Sequence, residues 1–549
     1  MPDNDSILLK TAKEEIKRIK RSDLWQSMAR LYSAAVLQMN KAPVSIEIPD
    51  FPDLDIIRNL PVSLSSSKSE VKEYLKILKF IIKLHKSSKK DRMSDAACYL
   101  VQISGPPLYE RLKFIIDTTY SYDPSDSHRP SNVPSKLFKV HLNNTHYVLM
   151  LSHTDNYQKG DSFADLLGTN MPGDGWDEKN QKLYPPLLRL VPCIENNPDN
   201  IPNIFYLSRL NPKVDEALNS VSADQGLGLA ALPMHRDLLF DVEKIGKTKG
   251  GLTRFRIQEA KIWPEGWEKE LEEQILLCSK NKIAIAALPE FCGSPKILEV
   301  VRKTLVKCKN NFPLLFIAGS WHSDQDNSSL GNGSFVNRLT VLSAVDLDPY
   351  DPYDPLITHD KFVPFSENGY TEGNEHETKG LSFLVTSLGV IAFGICKDLF
   401  MNRASGMEAI SSNQLNAALP FLSVCPAMTA STRELNELAT SLFKHLGSAL
   451  LVSNACGFVR EKLRNGICCK TIQNKEGEKK TSDARSFIAA PKYLYQMDCF
   501  KDDKSIISSE FGICIAHSSC LGQKGQDSLK AGQTNNNTVS ACLKLKTEN

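Results

Sequence analysis

Three residues of different chemistry each stand where an apolar run gives way to a loop. Glu290 follows the run IAIAAL in LPEF, Lys361 follows a strand in ITHDKFVPF, and Cys396 ends VIAFGIC in FGICKDLF. The C-terminal ends of strands are where side chains from separate strands converge on a ligand. A carboxylate, an ammonium and a thiol form a set suited to acyl transfer. Amides and nitriles are poor electrophiles that a thiolate can attack, but a free cysteine is mostly protonated at neutral pH. Glu290 is placed to take the thiol proton and later deliver it to a leaving nitrogen. Lys361 would stabilise the oxyanion, with the backbone N–H of Lys397 as a second donor. Water activated by the same Glu290 would then hydrolyse the thioester. Taken singly, each residue has an ordinary use: a helix cap, a loop lysine, one buried thiol among 14 cysteines. The set of three, each at a strand end, points to catalysis.

The elements that must position them alternate strand and helix from Phe255 onward. FRIQEAKI reads as a strand, and Glu265 to Lys280 as a helix with Trp267, Leu271, Ile275 and Cys278 on one side. IAIAAL (283–288) is a continuous apolar run and so a buried strand. Ser294 caps a helix to Lys309 with Pro295 in its first turn. Further strands are expected at 314–320, 338–345, 382–386, 390–396, 420–425 and 449–454, with helices near Met407 and from Thr432 to Leu446. This is an α/β pattern, a sheet covered by helices. Upstream the grammar differs. Helical periodicity runs from about Ser6 to Met39 and from Ser69 to His85, prolines fall at 43, 49 and 52, and SYDPSDSHRPSNVP (121–134) is a linker. THYVLMLS (145–152) reads as a strand, and 155–200 has no clear pattern. The expected domains are a helical region 1–120, a mixed region 121–249 and a catalytic domain 250–549.

With 66 Lys+Arg against 64 Asp+Glu, the 549 residues give no global electrostatic case for nucleic-acid binding. Residues 1–90 hold 17 basic and 11 acidic residues. That excess leaves a weak case for nucleic acid on the N-terminal helices, and a solvated helix face is the expected use. The composition, 41% hydrophobic and 24% charged, is that of a globular chain. No apolar run reaches the roughly 18–20 residues of a membrane span. MPDNDSILLK carries acids where a signal peptide carries basic residues, so the expectation is a cytoplasmic protein with reduced thiols. No cofactor is expected. Cys514-x2-His517-x2-Cys520 has metal-like spacing but lacks the fourth ligand of a paired set, so no metal is assigned. Gly246-Lys247-Thr248 lacks the first glycine of a phosphate loop, because position 241 is Asp; it is read as a turn before a strand.

The ordered Glu, Lys and Cys, each after a strand, resemble the carbon–nitrogen hydrolase (nitrilase/amidase) superfamily over about residues 250–460. Supporting pieces are Gln258 in the opening strand, AGS at 318–320 followed by Asn337, and KHLGSALLVSNACG at 444–457. The resemblance implies a nitrilase-like α-β-β-α sandwich after a mainly helical or mixed N-terminal region. It implies hydrolysis of a non-peptide carbon–nitrogen bond in a small amide or nitrile by a Glu290-Lys361-Cys396 triad. It also implies a homo-oligomer. The family commonly adds a second Glu after the Lys; Glu367 in VPFSE is the expected match and Glu372 its rival. An ungapped match to members with a VPFGE-like run would put His359 in the lysine position. An ammonium stays charged at neutral pH where an imidazole does not, so Lys361 is the expected cation and His359 an ordinary loop residue. Lys397 follows the nucleophile where the family more often has an aromatic or acidic residue. Asp398 keeps the family's Cys-x-Asp, and Leu399-Phe400-Met401-Asn402 replace the usual continuation. The run DLDPYDPYDP (346–355) is expected near the pocket entrance. Nitrilase-like domains also occur fused to other modules, including reverse transcriptases in bacterial phage defence. The rival expectation is therefore a regulatory or sensor module that binds a small molecule or partner.

Overall fold

The computed structural model describes residues 6–19, 24–39, 68–86, 92–119, 139–154, 188–193, 202–224, 227–232, 240–263, 265–308, 311–324, 335–345, 355–367, 369–373, 380–399, 414–429, 433–446, 448–454, 486–489, 495–496, 506–509 and 514–518. The chain falls into two compact units. One comprises 1–125, 131–204 and 413–419, and the other 126–130, 205–412 and 420–549. The expected helix near Met407, the linker at 121–134 and Cys520 lie outside the described residues, as does all but Pro355 of the run at 346–355.

The first unit contains α1 (Ile7–Arg18), α2 (Leu24–Met39), α3 (Lys68–Lys86) and α4 (Arg92–Thr119). An antiparallel sheet β1 (Lys139–Leu142), β2 (Thr145–Leu151), β3 (Leu188–Pro192) accompanies them. The periodicity read as one helix over 6–39 is two. The buried Glu15 of α1 ties them together, accepting from Ser27 Oγ (2.5 Å) and Arg30 Nε (2.7 Å) of α2. Gly105-Pro106-Pro107 argues for a break, yet α4 runs through it for 28 residues. The β1–β2 turn places Asn143 and Asn144 at φ 48° and 60°, the left-handed pair that a tight hairpin requires. Tyr32 donates to the Leu188 carbonyl (3.1 Å) and Tyr109 to that of His153 (3.0 Å), anchoring α2 and α4 to the sheet.

The second unit holds two seven-stranded sheets. The first runs β11 (Ile357–Asp360), β10 (Phe335–Leu342), β9 (Leu315–Asp324), β8 (Ile285–Ala287), β5 (Gly228–Ala231), β21 (Cys514–Ser518), β19 (Tyr495–Gln496). The second runs β20 (Ile506–Ser509), β18 (Ser486–Ala489), β17 (Ala449–Asn454), β16 (Leu422–Ala427), β15 (Gly389–Phe393), β14 (Ser382–Thr386), β4 (Asn203–Tyr206). β5, β8 and β9 are parallel, as are β15, β16 and β17. Ser453 of β17 donates to the Leu232 carbonyl just past β5 (3.0 Å), joining one sheet to the other. Helices α5 (Leu207–Leu210) and α6 (Pro212–Asp224) follow β4, and helices α7 (Trp267–Lys280) and α8 (Pro295–Lys307) pack on the first sheet through Leu271, Ile275, Val301 and Leu305. Ser294 caps α8 as its sequence predicts, its hydroxyl accepting from Ile297 N–H (3.4 Å). Helix α9 (Arg433–Leu446) contacts β17. Among the described residues no helix is long and apolar enough to cross a membrane.

The expected opening strand sits elsewhere. FRIQEAKI contributes to β7 (Thr253–Glu259), which pairs with β6 (Phe240–Lys247) and β13 (Tyr370–Glu372) in a separate four-stranded sheet closed by β12 (Ser366–Glu367). The strand beside β8 is β5. The burial pattern gives the reason. Along β7, Phe255 and Ile257 are buried and Gln258 is exposed, the signature of a one-sided strand. All of β5 is buried, as a central parallel strand requires. Gln258 donates to Glu243 of β6 (2.6 Å) and takes no part in the cluster described next. Of the turn read at Gly246-Lys247-Thr248, Gly246 and Lys247 end β6, and Thr248 opens the β6–β7 connection, where Leu252 N–H bonds to Thr248 Oγ1 (3.1 Å).

Candidate active site

Glu290 is the third residue beyond β8, carried there by Leu288-Pro289. Leu288 N–H bonds to the Ile317 carbonyl of β9 (2.8 Å). Gly319, at φ 75°, lets β9 pass so close that an added Cβ would lie 2.2 Å from the Pro289 carbonyl oxygen. Phe291 takes φ 62°, turning the chain sharply after the carboxylate. Lys361 follows β11, its N–H bonded to the Asn337 carbonyl of β10 (2.8 Å). A bidentate pair from Arg338 to Asp360 (2.6 and 2.9 Å) locks the same two strands.

The buried Lys361 ammonium donates to Glu290 Oε1 (2.7 Å) and to Glu372 Oε2 (2.5 Å). Asn337 Nδ2 bridges the same two carboxylates from β10, at 3.1 Å from Glu290 Oε1 and 3.0 Å from Glu372 Oε1. Glu290 Oε2 accepts the Met428 N–H (3.1 Å). Glu372 also accepts from His322 Nε2 (3.2 Å) and Phe365 N–H (2.6 Å). Burial pushes the Glu290 carboxyl up and Lys361 draws it back, while Glu372 raises it again, to about 7. Burial works against the Lys361 charge, but Glu290, Glu372 and Cys396 outweigh it and hold the ammonium above its ordinary value. Burial would also raise Glu372, yet Lys361 and His322 prevail and keep it well below the usual carboxylate range.

Cys396 opens a single 3-10 turn, Cys396–Asp398, after β15. Its φ of 47° is left-handed, a strained conformation for a residue with a Cβ. Burial holds the thiol well above its ordinary value and Glu290 adds to this, against the opposing pull of Lys361 and of the Met428 backbone. The thiol rests neutral and within the electrostatic reach of both Glu290 and Lys361. Lys397, half-buried, lays its ammonium 4.9 Å from the centre of the Phe365 ring. Burial likewise raises the thiols of Cys292 and Cys425.

Behind the turn lies a network that the sequence reading did not assign. Asp398 Oδ1 accepts the N–H groups of Phe362 (3.1 Å) and Val363 (2.9 Å), and Oδ2 accepts that of Ile395 (3.0 Å). The His359 ring spans Asp398 Oδ2 and Ser382 Oγ, at 2.9 Å each. Asp398 therefore ties the loop after Lys361 to the turn that presents Cys396.

Glu290 and Lys361 thus touch, and Cys396 is coupled to both. Two expectations are corrected. Glu372, not Glu367, supplies the second carboxylate on Lys361: Glu367 lies on β12, and the β12–β13 hairpin places Glu372 at the other end of β13. His359 is no ordinary loop residue; it is wholly buried on β11 and bonded behind the turn that carries Cys396. Asn337 stood in a motif already singled out, whereas nothing in the sequence marked His322 or Met428. For His322 a signal exists in the strand's period of two. It lies two residues from Ser320, whose hydroxyl accepts Phe291 N–H (3.4 Å), so both face the Glu290 loop.

No protein-family model matches the chain, and no curated protein matches it. Among solved structures it is similar to variants of an amidase of the nitrilase superfamily from Nesterenkonia. One is 11% identical with a TM-score of 0.31, covering 56% of this chain and 97% of that one. Another, with an acetamide moiety covalently added at its active-site cysteine, is 10% identical with a TM-score of 0.30, covering 57% and 99%. A likeness of this size carries no argument about chemistry; the geometry of the cluster does.

Proposed function

We propose that the second unit is a nitrilase-like α-β-β-α sandwich that hydrolyses a non-peptide carbon–nitrogen bond in a small amide or nitrile. The observation that carries this reading is a buried ammonium shared by two carboxylates beside a thiol at a strained turn. For an amide, Glu290 takes the Cys396 proton as Sγ attacks the carbonyl carbon. The oxyanion that forms is stabilised by Lys361 Nζ and the Lys397 N–H. Glu290 returns the proton to the nitrogen, the C–N bond breaks, and ammonia or an amine leaves. Water, giving a proton to Glu290, attacks the thioester carbonyl. The acid departs and Sγ recovers its proton. Glu372 keeps Lys361 charged and aimed throughout. Self-association through the helices of this unit belongs to the same proposal.

The test is a panel of small amides and nitriles offered to the intact protein and to Cys396→Ala, with mass spectrometry of the protein during turnover. The expected result is an acyl adduct on Cys396 alone and no turnover in the variant, whose circular dichroism stays unchanged. Full activity in Cys396→Ala, or an adduct on another cysteine, would overturn the reading.

A further inference from the structure

We propose that His322 is a positioning residue for the reaction just described, held as the neutral imidazole with its proton on Nε2 and so fixed as a donor to Glu372. The proposal rests on that reading for its catalytic consequence, but its structural claim stands apart from it.

The tautomer follows from the two partners of the ring. Nδ1 lies 2.7 Å from the backbone nitrogen of Ile257 on β7, and that nitrogen carries a hydrogen. A proton on Nδ1 would set two hydrogens face to face, so Nδ1 offers its lone pair. Nε2 lies 3.2 Å from Oε1 of Glu372, an ionised carboxylate that can only accept. The hydrogen therefore sits on Nε2. The ring is closed in by Phe291 (centroids 5.2 Å apart) and Phe335 (4.8 Å). The charged groups that face it are Glu372 from β13, Lys361 after β11 and Arg256 on β7; the neutral Asn337 amide of β10 shares its Glu372 oxygen. Burial first, then Lys361 and Arg256, disfavour a second proton on the ring and outweigh Glu372.

This donor completes a set of four on Glu372. Oε1 receives His322 and Asn337, and Oε2 receives Lys361 and the Phe365 N–H. A carboxylate has about four lone-pair sites, so this one is filled and cannot turn. The aim of Lys361 depends on that orientation. The chain of bonds also has a remote end. Ile257 belongs to the β6–β7 hairpin, so the imidazole ties β7 to the Glu372 carboxylate that β13 of the same sheet presents to the lysine.

Two isosteres separate the ring's functions. His322→Gln places an amide N–H near the imidazole Nε2 and keeps the donor to Glu372. His322→Asn places an amide oxygen near Nδ1, keeping the acceptor for Ile257 and losing that donor. The rate of acylation of Cys396 should fall about 10–100-fold in the Asn variant, the size of loss usual for a residue that orients a reacting group. The acid limb, set by Glu290 at about 7, should stay in place while the rate falls, and the Gln variant should recover most of the rate. Nitrogen-15 spectra of the histidine-labelled intact protein, with the Asn variant assigning His322, should show a bare Nδ1 and a protonated Nε2 that persist from about pH 5.5 to about pH 8.5. A proton on Nδ1, a ring that titrates in this range, or an Asn variant with unchanged rate would overturn the proposal. Should no amide be turned over, the failure lies with the proposed function. The spectra, together with the rate of Cys396 alkylation in both variants, then decide the role of His322. The spectra of the unsubstituted protein decide it even where a variant fails to fold.

Discussion

A thiol in a buried site beside a carboxylate titrates by its neighbour. The Cys396 thiol lies well above its ordinary value, so direct ionisation supplies little thiolate at neutral pH, whereas Glu290, at about 7, is poised to accept the proton. The sign is fixed by the direction of the Glu290 shift: a raised carboxylate is protonated and useless as a base below about 7, and basic above it. Alkylation of Cys396 by iodoacetamide should accordingly rise with a midpoint near 7, and in Glu290→Gln that midpoint should vanish. A midpoint unchanged by Glu290→Gln would show that the carboxylate is not the base. Lys361 has a different dependence. Lys361→Ala leaves Glu290 and Glu372 facing each other without a counter-ion in a buried site, where breaking such a pair costs about 3–5 kcal/mol. Under the proposed function Lys361→Ala also removes an oxyanion donor, which slows the chemical step about 10²-fold or more. Lys361→Met combined with Glu372→Gln should recover part of the stability in urea melts and none of the rate, which separates the two consequences.

The elements are held to one another by a few polar hubs. Asp398 accepts three backbone N–H groups from two loops, so Asp398→Ala leaves three buried donors without their acceptor. At about 1–3 kcal/mol for each such group, a loss of several kcal/mol is expected in urea melting. His359→Ala removes one partner of the same carboxylate and should cost about 1–3 kcal/mol with a measurable fall in turnover. A silent variant would mean that the hub does not depend on it. Gly319 tests the junction behind Glu290. In Gly319→Ala a methyl group would meet the Pro289 carbonyl at 2.2 Å, whereas Gly266→Ala, at a nearly identical φ of 76°, meets nothing within 4 Å. The second should cost about 1–2 kcal/mol, the strain of a left-handed residue with a Cβ, and the first clearly more. How much of this was legible follows from what each element displays. Strands β8, β15, β16 and β17 are wholly buried and mostly apolar, and α7 to α9 carry a clear helical period, so Glu290 and Cys396 could be placed at strand ends from sequence alone. A strand before Lys361 is expected from the sequence, but ITHD has no apolar run to mark its extent, and His359 therefore reads as a loop residue. The choice between Glu367 and Glu372 depends on the hairpin register Ser366↔Thr371 and Glu367↔Tyr370, which one-dimensional spacing does not encode. α4 falls within the expected helical region 1–120, but local propensity at Gly105-Pro106-Pro107 runs against the single helix that forms there.

On the scale of the molecule, the side chains of the candidate site all come from residues of the second unit. That unit includes 205–412 and 420–549, so its main part starts ahead of the 250 that the strand-helix grammar suggested. Residues 205–249 supply half of β4 at the edge of one sheet and β5 in the interior of the other. They also supply β6, which completes the four-stranded sheet. A truncation to 250–549 would strip β5 from between β8 and β21, exposing the unpaired backbone of two strands that are internal in the intact sheet. Exposed edges of this kind template association between chains. The same cut removes Phe240 and Val242, which pack with Phe255 and Ile257 and so hold the strand whose N–H meets His322. A truncation to 202–549 keeps every one of these strands. The shorter chain should aggregate in size-exclusion chromatography. The longer should elute as a discrete species, retain its α/β circular dichroism and keep the pH-dependent alkylation of Cys396. Equal behaviour of the two would show that β5 is dispensable and that the order β9-β8-β5-β21 does not hold the site. Failure of the longer chain alone to fold, with its strands intact, would mean that the second unit draws stability from residues before 202.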